Sequence, residues 1–365
     1  MRILVIGGGI FGCCIATELA RDGHRVTLVE RNDEIMQEAS RCNHNRLHLG
    51  YHYPRSVITA KQSIEGLLSF FMYFGRALIT EFPNYYAIAK HHSKTSVHDF
   101  TTFCDEVGIS YREGCPGEEF LNCEKVTGCF LVREPIFDYT MLQQIVCERM
   151  DAAGVDVRLG RDVGLLGSGP DGRYNWSGCN GPGGESYDYV INAAYSGLNA
   201  INSMLGLPEL PVLYEDVSIP IFEYDASPIA VTVMDGPFCT VMPCGGRPNH
   251  FLLYHVLHSV HARWDHGGSV IVPKEALVRR DTRDIYDASA LYMPFVGRGA
   301  HRDAYRTIRV VTDNNSDARL TDVFLYPTCP NYISVLSGKI STAMRTAIQV
   351  RQIVAGDPNA GRYVI

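Results

Sequence analysis

Residues 1–30 read MRILVIGGGIFGCCIATELARDGHRVTLVE, and this stretch decides the fold. The apolar run at residues 3–6 predicts a strand that is buried on both faces. A G-x-G-x-x-G motif follows, formed by Gly7, Gly9 and Gly12, and it leads into an apolar helix and a second strand. This order of elements predicts a βαβ unit that binds a dinucleotide.

The three glycines of the motif have different expected roles. Gly7 permits a tight turn, Gly9 lets the backbone approach a pyrophosphate, and Gly12 lets the helix pack closely on the strand. The first residues of the helix, Ile10 and Phe11, offer backbone N–H groups and the positive end of the helix dipole to the phosphates. The alternative for this stretch is a glycine-rich turn without a ligand.

An acidic residue ends the second predicted strand. Glu30 comes about twenty residues after the glycines, where an acid hydrogen-bonds the ribose of a bound dinucleotide. Its carboxylate would accept hydrogen bonds from the ribose hydroxyls, and its charge disfavours a 2′-phosphate. The acid therefore completes the pattern that begins with the first strand.

Composition restricts the class of protein. The chain has 365 residues, 46% of them hydrophobic, which is enough for one large domain or two of medium size. Its net charge is −7 with no basic block, which argues against nucleic acid as a partner, and no apolar stretch is long enough to span a bilayer. The 12 cysteines form no C-x-x-C pair, and without an evident secretion signal we expect reduced thiols in a cytoplasmic protein.

Two domains are expected to alternate along the chain. A helix is predicted at residues 56–80, and strand-rich segments with a period of two follow, which is typical of an antiparallel sheet. Residues 286–296 predict one further helix, and residues 308–311 predict a short strand. The strand at residues 187–194 and the helix that opens at residues 337–339 indicate that the nucleotide-binding domain resumes. We predict a nucleotide-binding domain formed by residues 1–81, 136–207 and 301–365, and a second, inserted domain formed by residues 82–135 and 208–300.

Taken together, these motifs resemble a known family. The βαβ unit, the loop NHNRLHLGYHY at residues 43–53, the strand VINAA at residues 190–194 and a terminal strand–Ser-Gly–helix resemble the D-amino-acid oxidase superfamily of FAD-dependent oxidoreductases. That group includes glycine and sarcosine oxidases, glycerol-3-phosphate dehydrogenase and L-2-hydroxyglutarate oxidase, and the loop is similar to that of the last. The chain departs from the usual pattern at Tyr195, where a glycine is common.

The resemblance implies both a fold and a chemistry. The implied fold is α/β, with a glutathione-reductase-type FAD-binding Rossmann domain and an inserted α+β substrate domain built on a mainly antiparallel sheet. The implied reaction removes hydride from the C–H bond next to an amine or hydroxyl of a small, carboxylate-bearing substrate, with dioxygen or another electron acceptor as the partner. An amino acid or amine oxidase and a 2-hydroxy-acid oxidase or dehydrogenase both remain open, as does the oligomeric state.

The residues expected at FAD come from both ends of the chain. By the resemblance, backbone N–H groups of Gly338, Lys339 and Ile340 stabilise the N1–C2=O end of the reduced flavin. The Lys339 ammonium would add a positive charge there, unless it is only a solvated lysine at a helix start. The residues that we expect to contact the cofactor are Gly7, Gly9, Ile10, Phe11, Gly12, Glu30, Arg31, Ser40, Asn43, His44, Asn45, Val163, Ala193, Ala194, Gly338, Lys339 and Ile340.

Substrate binding and proton transfer are assigned to a few charged and aromatic residues. The resemblance implies that Arg309 pairs with a substrate carboxylate, and Arg46 is the competing candidate. His48 is the expected base because imidazole titrates near neutral pH, with a structural role or a covalent link to the flavin as the alternatives. Tyr53 and Tyr254 are expected in the walls of the substrate pocket, unless they only pack in the core.

Three other functions fit the sequence less well. Five histidines form the densest cluster: His250, His255, His258, His261 and His266. Steps of three do not lie on one face of a strand, so we expect no metal site. An NAD-linked dehydrogenase is disfavoured because the nucleotide-binding domain is split between the two ends of the chain. A non-catalytic flavin-binding protein would have little use for the ionisable groups at residues 43–53.

Overall fold

The computed structural model describes residues 1–178, 184–265, 282–312, 321–358, 360–361 and 363–364. Numbered in chain order, its strands are β1 (Arg2–Ile6), β2 (Arg25–Val29), β3 (Leu78–Ile79), β4 (Asn84–Ala89), β5 (Tyr111–Glu113), β6 (Val126–Val132), β7 (Ile136–Phe137), β8 (Asp156–Arg158), β9 (Val163–Ser168), β10 (Tyr174–Gly178), β11 (Glu185–Tyr187), β12 (Tyr189–Asn192), β13 (Val212–Glu223), β14 (Ala230–Met234), β15 (Cys239–Pro243), β16 (His250–His255), β17 (Val260–Asp265), β18 (Ala300–Thr312), β19 (Asp322–Tyr326), β20 (Cys329–Leu336) and β21 (Tyr363–Val364). Its α-helices are α1 (Ile10–Arg21), α2 (Val57–Phe74), α3 (Val97–Val107), α4 (Tyr139–Ala153), α5 (Leu198–Met204), α6 (Arg283–Ala290), α7 (Pro294–Arg298) and α8 (Ala343–Val354).

The first sheet is mainly parallel and contains the N-terminal βαβ unit. Within the described residues its strand order is β21-β19-β20-β12-β1-β2-β8, and only the β19–β20 pair is antiparallel. Helices α1, α4 and α8 cover one face, where Ile3 and Val5 of β1 are fully buried. The small sheet β9-β10-β11 covers the other face, where Leu4 is buried. Strand β1 is therefore buried on both faces, as its apolar sequence predicts.

The second sheet is mainly antiparallel, as expected for the inserted domain. Among the described strands its order is β17-β13-β16-β15-β14-β4-β6-β5, and only β14 and β4 are parallel. Strand β18 pairs with β13 over the whole length of that strand. Helices α6 and α7 pack on this sheet through an aromatic core that includes Phe222, Phe251 and Phe295. The predicted α/β fold class is confirmed.

The pairing of β18 corrects the predicted position of residues 301–312. We placed these residues in the last part of the nucleotide-binding domain, with a short strand at residues 308–311. They instead form most of a 13-residue strand that belongs to the second sheet. The paired residues Glu215 and Arg309 are 94 positions apart, so local patterns could not reveal this register. The other domain boundaries stay predictions.

Three predicted helices have different bounds from those expected. Residues 286–296 form the end of α6 and the start of α7, because Pro294 suits the first turn of a helix and cannot continue α6. Helix α2 begins after its N-cap Ser56 and ends at Phe74, short of residue 80. The turn at residues 337–339 is followed by a 3₁₀ turn, Ile340–Thr342, and then by α8. Within the described residues, no helix combines the length and apolar character that crossing a bilayer requires.

Candidate active site

The glycine motif connects β1 to α1 at the centre of the first sheet. Gly7 has a φ of +104°, and a Cβ atom there would lie 2.6 Å from the Ala193 carbonyl oxygen. A Cβ atom at Gly12 would lie 1.9 Å from the Gly7 carbonyl oxygen, so a side chain would push the helix off the strand. At Gly9, the nearest described atom to such a Cβ is Ser40 Oγ, at 3.4 Å. Gly7 and Gly12 are needed for close packing, whereas Gly9 leaves open space for a ligand.

Glu30 lies just after β2, beside the glycine motif. Its Oε2 accepts a hydrogen bond from the Gly8 N–H at 2.6 Å, and Oε1 accepts from the backbone and side-chain amides of Asn32 at 2.9 and 2.8 Å. The residue is only 9% exposed. These bonds fix the carboxylate in position, and Oε2, which accepts one of them, has a second lone pair that a ribose hydroxyl could use.

One cavity of about 1110 Å³ extends from the glycine motif to the second sheet. It contains all of the predicted site residues except Gly12, which lies beneath the motif, and Asn45, whose N–H bonds Asn43 Oδ1 at 2.7 Å. This volume is slightly above the usual range of about 300–1,000 Å³ for small-molecule sites, which is consistent with a cofactor plus a substrate. The predicted residues that line the cavity are Gly7, Gly9, Ile10, Phe11, Glu30, Arg31, Ser40, Asn43, His44, Arg46, His48, Tyr53, Val163, Ala193, Ala194, Tyr254, Arg309, Gly338, Lys339 and Ile340.

The polar loop after β2 folds back onto the start of α1. Ser40 Oγ accepts a hydrogen bond from the Ile10 N–H at 3.1 Å, so this side chain satisfies one of the first amides of the helix. Asn43 Nδ2 donates to the carbonyl oxygens of Ala39 and Ser40 at 3.0 and 2.9 Å, and Asn45 has a φ of +55°. The loop is thus held by its own side chains, and it brings the next residues, Arg46 and beyond, to the cavity.

Arg46 is the centre of a buried polar network. Its Nε lies 2.5 Å from Glu134 Oε2, and its Nη2 donates to the Tyr86 hydroxyl and to Thr232 Oγ1, the latter at 3.1 Å. The Arg46 side chain is 4% exposed and that of Glu134 is fully buried. Burial alone would raise the pKa of Glu134, but Arg46 and His48 lower it well below its usual range. The pair is therefore charged, and each partner compensates the buried charge of the other.

His48 lies beside the carboxylate of Glu134 and faces the cavity. Its Nδ1 is 3.7 Å from Glu134 Oε1, and this nitrogen has no hydrogen-bond partner among the described residues. The ring is 5.5 Å from the Tyr53 ring and 5.2 Å from the His52 ring, between centroids. Burial lowers the pKa of His48 to about 4, although the Glu134 carboxylate acts in the opposite direction. At neutral pH the imidazole is therefore uncharged and able to accept a proton.

The segment before α8 reaches the cavity from the C-terminal end of the chain. Lys339 Nζ lies 4.0 Å from the centroid of the Tyr53 ring and donates to Ser63 Oγ at 2.8 Å. The Gly338 N–H donates to Thr321 Oγ1 at 3.0 Å, so this amide already has an acceptor within the chain. The predicted role of residues 338–340 beside the flavin stays a prediction, and the Gly338 amide is its weakest part.

Arg309 lies on β18, opposite Glu215 of β13. Its Nε and Nη2 lie 2.6 and 2.5 Å from Glu215 Oε2, and its guanidinium carbon is 5.5 Å from the centroid of the Tyr254 ring. Arg263 also binds Glu215, through Oε1. Burial alone would raise the pKa of Glu215, but the two arginines lower it. The Arg309 side chain is 17% exposed, so it is more accessible than Arg46.

Several site residues were missed in the sequence analysis. Glu134 orders both Arg46 and His48, and its one sequence signal is an acid directly before a proline. Glu215 lies in an apolar strand, and an acid at such a position should have indicated a buried arginine partner. Tyr195, which stands where the family commonly has a glycine, has a φ of +52°, so the backbone keeps the left-handed conformation that glycine favours.

The histidine cluster does not assemble into a metal site within the described residues. The rings of His255 and His258 are 4.6 Å apart, but no group of three or more metal-ligating side chains occurs in the described part of the chain. His261 instead hydrogen-bonds Ser218 Oγ at 2.8 Å. His266 lies outside the described residues.

The cavity residues fit FAD on structural grounds. The open backbone at Gly9 and the positive end of the α1 dipole can receive a pyrophosphate, whereas the Gly8 and Ile10 N–H groups already donate to Glu30 and Ser40. The fixed carboxylate of Glu30 can receive a ribose hydroxyl. The far end of the cavity reaches the polar groups of His48 and Arg309. An elongated cofactor that carries its reactive ring at one end matches this arrangement.

Comparisons with known proteins agree with these features. A model of the family described as FAD dependent oxidoreductase, abbreviated DAO, matches residues 2–299. The chain is 29% identical over 255 residues to FAD-dependent monooxygenase FPY4 of Fusarium mangiferae, covering 70% of this chain and 64% of that protein. It is also 29% identical over 254 residues to FAD-dependent monooxygenase kojA of Aspergillus flavus, covering 67% of this chain and 58% of that protein. The matches thus span less than two thirds of the length of these relatives.

Solved structures show the same fold. Glycine oxidase from Geobacillus kaustophilus superposes with a TM-score of 0.76, 15% identity and coverage of 98% of this chain and 96% of that one. L-alpha-glycerophosphate oxidase from Mycoplasma pneumoniae, with FAD bound, superposes with a TM-score of 0.78, 15% identity and coverage of 100% and 98%. The resemblance inferred from the sequence is confirmed, FAD is the cofactor of the family, and the chain belongs to the FAD-dependent oxidoreductase (DAO) family.

Proposed function

We propose that the protein oxidises the C–H bond next to an amine or hydroxyl group of a small, carboxylate-bearing molecule. The observation that carries this proposal is that the nucleotide-binding residues, His48 and Arg309 line one cavity. When bound, FAD supplies the hydride acceptor, and dioxygen or another electron acceptor regenerates it. The remaining requirements, a cation for the carboxylate and a base for the proton, are supplied by side chains of this chain.

Arg309 is the proposed partner of the substrate carboxylate. Glu215 occupies one edge of its guanidinium, through Nε and Nη2, and the side chain is 17% exposed at the cavity. The Arg46 guanidinium contacts Glu134, Tyr86 and Thr232, and its side chain is 4% exposed. A substrate carboxylate can approach Arg309 without breaking the Glu215 pair, whereas it would have to displace Glu134 from Arg46. We therefore assign substrate binding to Arg309 and a structural role to Arg46.

His48 is the proposed base. Its imidazole is uncharged at neutral pH, because burial lowers its pKa to about 4, and its ring faces the cavity. It can accept the N–H or O–H proton of the substrate as the neighbouring C–H bond is oxidised. Glu134 is a positioning residue: its carboxylate lies 3.7 Å from His48 Nδ1 and stabilises the imidazolium that forms. An amine would leave as an imine that hydrolyses, and a hydroxy acid would leave as a keto acid.

The proposal is tested by anaerobic mixing of the FAD-loaded protein with amino acids and, separately, with 2-hydroxy acids. Loss of the visible flavin absorbance with one class, but not with the corresponding carboxylic acids that lack the amine or hydroxyl, supports the proposal and names the class. Flavin that dithionite reduces but that no member of either panel reduces would contradict it. Substrates without the carboxylate serve as the control for Arg309.

A second candidate is a monooxygenase reaction. The specific observation is the 29% identity, over 67–70% of this chain, to two proteins named FAD-dependent monooxygenases. The two candidates differ in the fate of dioxygen. Isotopically labelled dioxygen enters the product in a monooxygenase reaction, whereas in an oxidase reaction the label leaves entirely as hydrogen peroxide. Product mass spectrometry under labelled dioxygen separates them.

A further inference from the structure

Two exposed thiols approach each other on the second sheet, away from the residues of the cavity. Cys115 follows β5, and Cys123 begins the 3₁₀ turn Cys123–Lys125 that leads into β6. Their Sγ atoms are 2.7 Å apart, and both residues are exposed. Two sulfur atoms at this distance are already inside van der Waals contact. A disulfide, with a bond length of about 2.05 Å, needs only a small further approach.

The segment between the two cysteines is folded as a closed turn. The N–H groups of Phe120 and Leu121 both donate to the Gly117 carbonyl oxygen at 3.1 Å. Gly117 has a φ of +86°, a conformation that glycine adopts without strain. This turn holds residues 115 and 123 together in the reduced protein, so closing the bond does not require the segment to refold.

The turn also hydrogen-bonds to the start of α7 and to the residues just before it, on the second sheet. The Phe295 N–H donates to the Glu119 carbonyl oxygen at 3.1 Å, and the Asn122 N–H donates to the Tyr292 carbonyl oxygen at 2.8 Å. The Phe120 and Phe295 rings are 5.2 Å apart. A covalent link between the ends of this turn would therefore restrain the segment that holds α7 on the sheet.

We propose that Cys115 and Cys123 are a redox-sensitive pair that a hydroperoxide converts to an intramolecular disulfide. In the first step one thiolate attacks a peroxide oxygen, the O–O bond breaks, and a sulfenic acid and hydroxide form. In the second step the other sulfur attacks the sulfenic acid, an S–S bond forms and water leaves. Two thiols lose two electrons and two protons in total, and one molecule of hydrogen peroxide is reduced to two of water.

A third thiol, that of Cys129, is the competing partner for a disulfide. Cys129 of β6 is less exposed, and burial, followed by the effect of Cys115 and Cys123, raises its pKa above the usual range. The hydrogen bond with Cys115 raises the pKa of Cys123 as well, to about 11, so the preference rests on geometry: the Sγ atoms of Cys115 and Cys123 already lie 2.7 Å apart. The pairing of Cys115 with Cys123 is therefore expected in preference to its pairing with Cys129.

The positions of the basic residues allow the two pairings to be told apart. Trypsin cleaves after Arg112, Lys125 and Arg133, so residues 113–125 form one peptide with Cys115 and Cys123, and residues 126–133 form another with Cys129. The FAD-loaded, full-length protein is reduced, treated with stoichiometric hydrogen peroxide, alkylated and digested. The expected result is a peptide 113–125 that is lighter by two hydrogen atoms and carries no alkyl group.

Matched variants complete the test. Cys123→Ser should restore alkylation of Cys115 or leave it as a sulfenic acid, whereas Cys129→Ser should leave the internal disulfide unchanged. A cross-link between peptides 113–125 and 126–133, a disulfide-linked dimer, or a peptide 113–125 that remains alkylated at both thiols would overturn the proposal. Because the probe is added peroxide, the result does not depend on whether the proposed oxidation of a substrate is correct.

Discussion

The two ends of the cavity are built in different ways. At the nucleotide end, Gly7, Gly9, Gly12 and Glu30 lie within one βαβ unit. The close contacts of Gly12 and Glu30 are local to it, and Gly7 also packs on the backbone of Ala193. At the other end, Arg46 meets a carboxylate 88 positions away, and the partner of Arg309 is 94 positions away. The nucleotide end is thus specified mainly by close packing of the backbone, whereas the catalytic end depends on buried charges that the fold brings together from distant parts of the chain. We therefore expect substitutions at the nucleotide end to affect flavin binding, and substitutions at the catalytic end to affect stability and turnover.

The largest effect is expected at the nucleotide end, for Gly12→Ala. The new Cβ would lie 1.9 Å from the Gly7 carbonyl oxygen, so α1 must move away from β1. We expect loss of bound flavin, measured as visible absorbance per protein, together with a lower unfolding temperature. The matched control is Gly75→Ala, where no described atom lies within 4 Å of the new Cβ and φ is −53°. Normal flavin content in the Gly12 variant would show that packing does not specify this end.

The next largest effect is expected at the catalytic end, for Arg46→Met. The substitution leaves Glu134 buried without its cation, which costs about 3–5 kcal/mol of stability. Urea unfolding of the single variant and of the double variant with Glu134→Gln measures this cost. The double variant should recover part of the loss, because it removes both charges. A loss in the double variant equal to the sum of the losses in Arg46→Met and in Glu134→Gln alone would mean that the pair is not coupled.

A purely catalytic effect is expected for His48→Gln. Removing the base should lower kcat by about 10²- to 10⁴-fold, with flavin content retained. His52→Gln is the control, because its ring is exposed and lines the same cavity, 5.2 Å from that of His48. A similar loss of kcat in both variants would argue that the loop, rather than His48 itself, is responsible.

A smaller effect is expected for Arg309→Lys, mainly on KM. A lysine keeps the charge but loses the planar fork that can hold a substrate carboxylate and Glu215 at once. The loss of about 1.5–3 kcal/mol corresponds to a roughly 10- to 140-fold higher KM. Arg263→Lys is the matched control, since Arg263 shares Glu215 but its side chain is 59% exposed. If Arg263→Lys raised KM more than Arg309→Lys, the assignment of the anchor would be wrong.

The smallest change is a shift in pH dependence. An ordinary histidine would give an acid limb near pH 6.5, but the pKa of His48 is lowered to about 4. His48 acts as a base only when it is neutral. We therefore expect kcat/KM to increase as the pH rises past about 4 and to stay constant at higher pH. The unfolded chain binds a proton that folded His48 does not, so stability should fall as the pH drops from about 6.5 to about 4. The acid limb should be missing in His48→Gln, and a limb near 6.5 in the parent protein would contradict the assignment.

The correct predictions concern features that neighbouring residues determine, and the incorrect ones concern contacts between residues that are distant in sequence. The βαβ unit was predicted from neighbouring residues, because periodicity and glycine placement act over a few positions. Residues 301–312 were placed in the wrong domain because the sequence of a strand does not specify which strand it pairs with. Glu134 and Glu215 were missed for the same reason: a lone acid in a sequence does not reveal which arginine will neutralise it.

By itself, the sequence determined the nucleotide-binding unit, the α/β class and the set of polar residues available for chemistry, since these follow from short-range sterics and hydrophobic periodicity. Only the tertiary structure decided that β18 pairs with β13, that Arg46 is paired with Glu134 and that Arg309 lies at the cavity wall with Glu215 on one edge. It also decided the protonation of His48, whose pKa depends on burial and on the carboxylate of Glu134, which is distant in sequence. The physical reason is that charge compensation and desolvation are properties of position in space, which chain order does not specify.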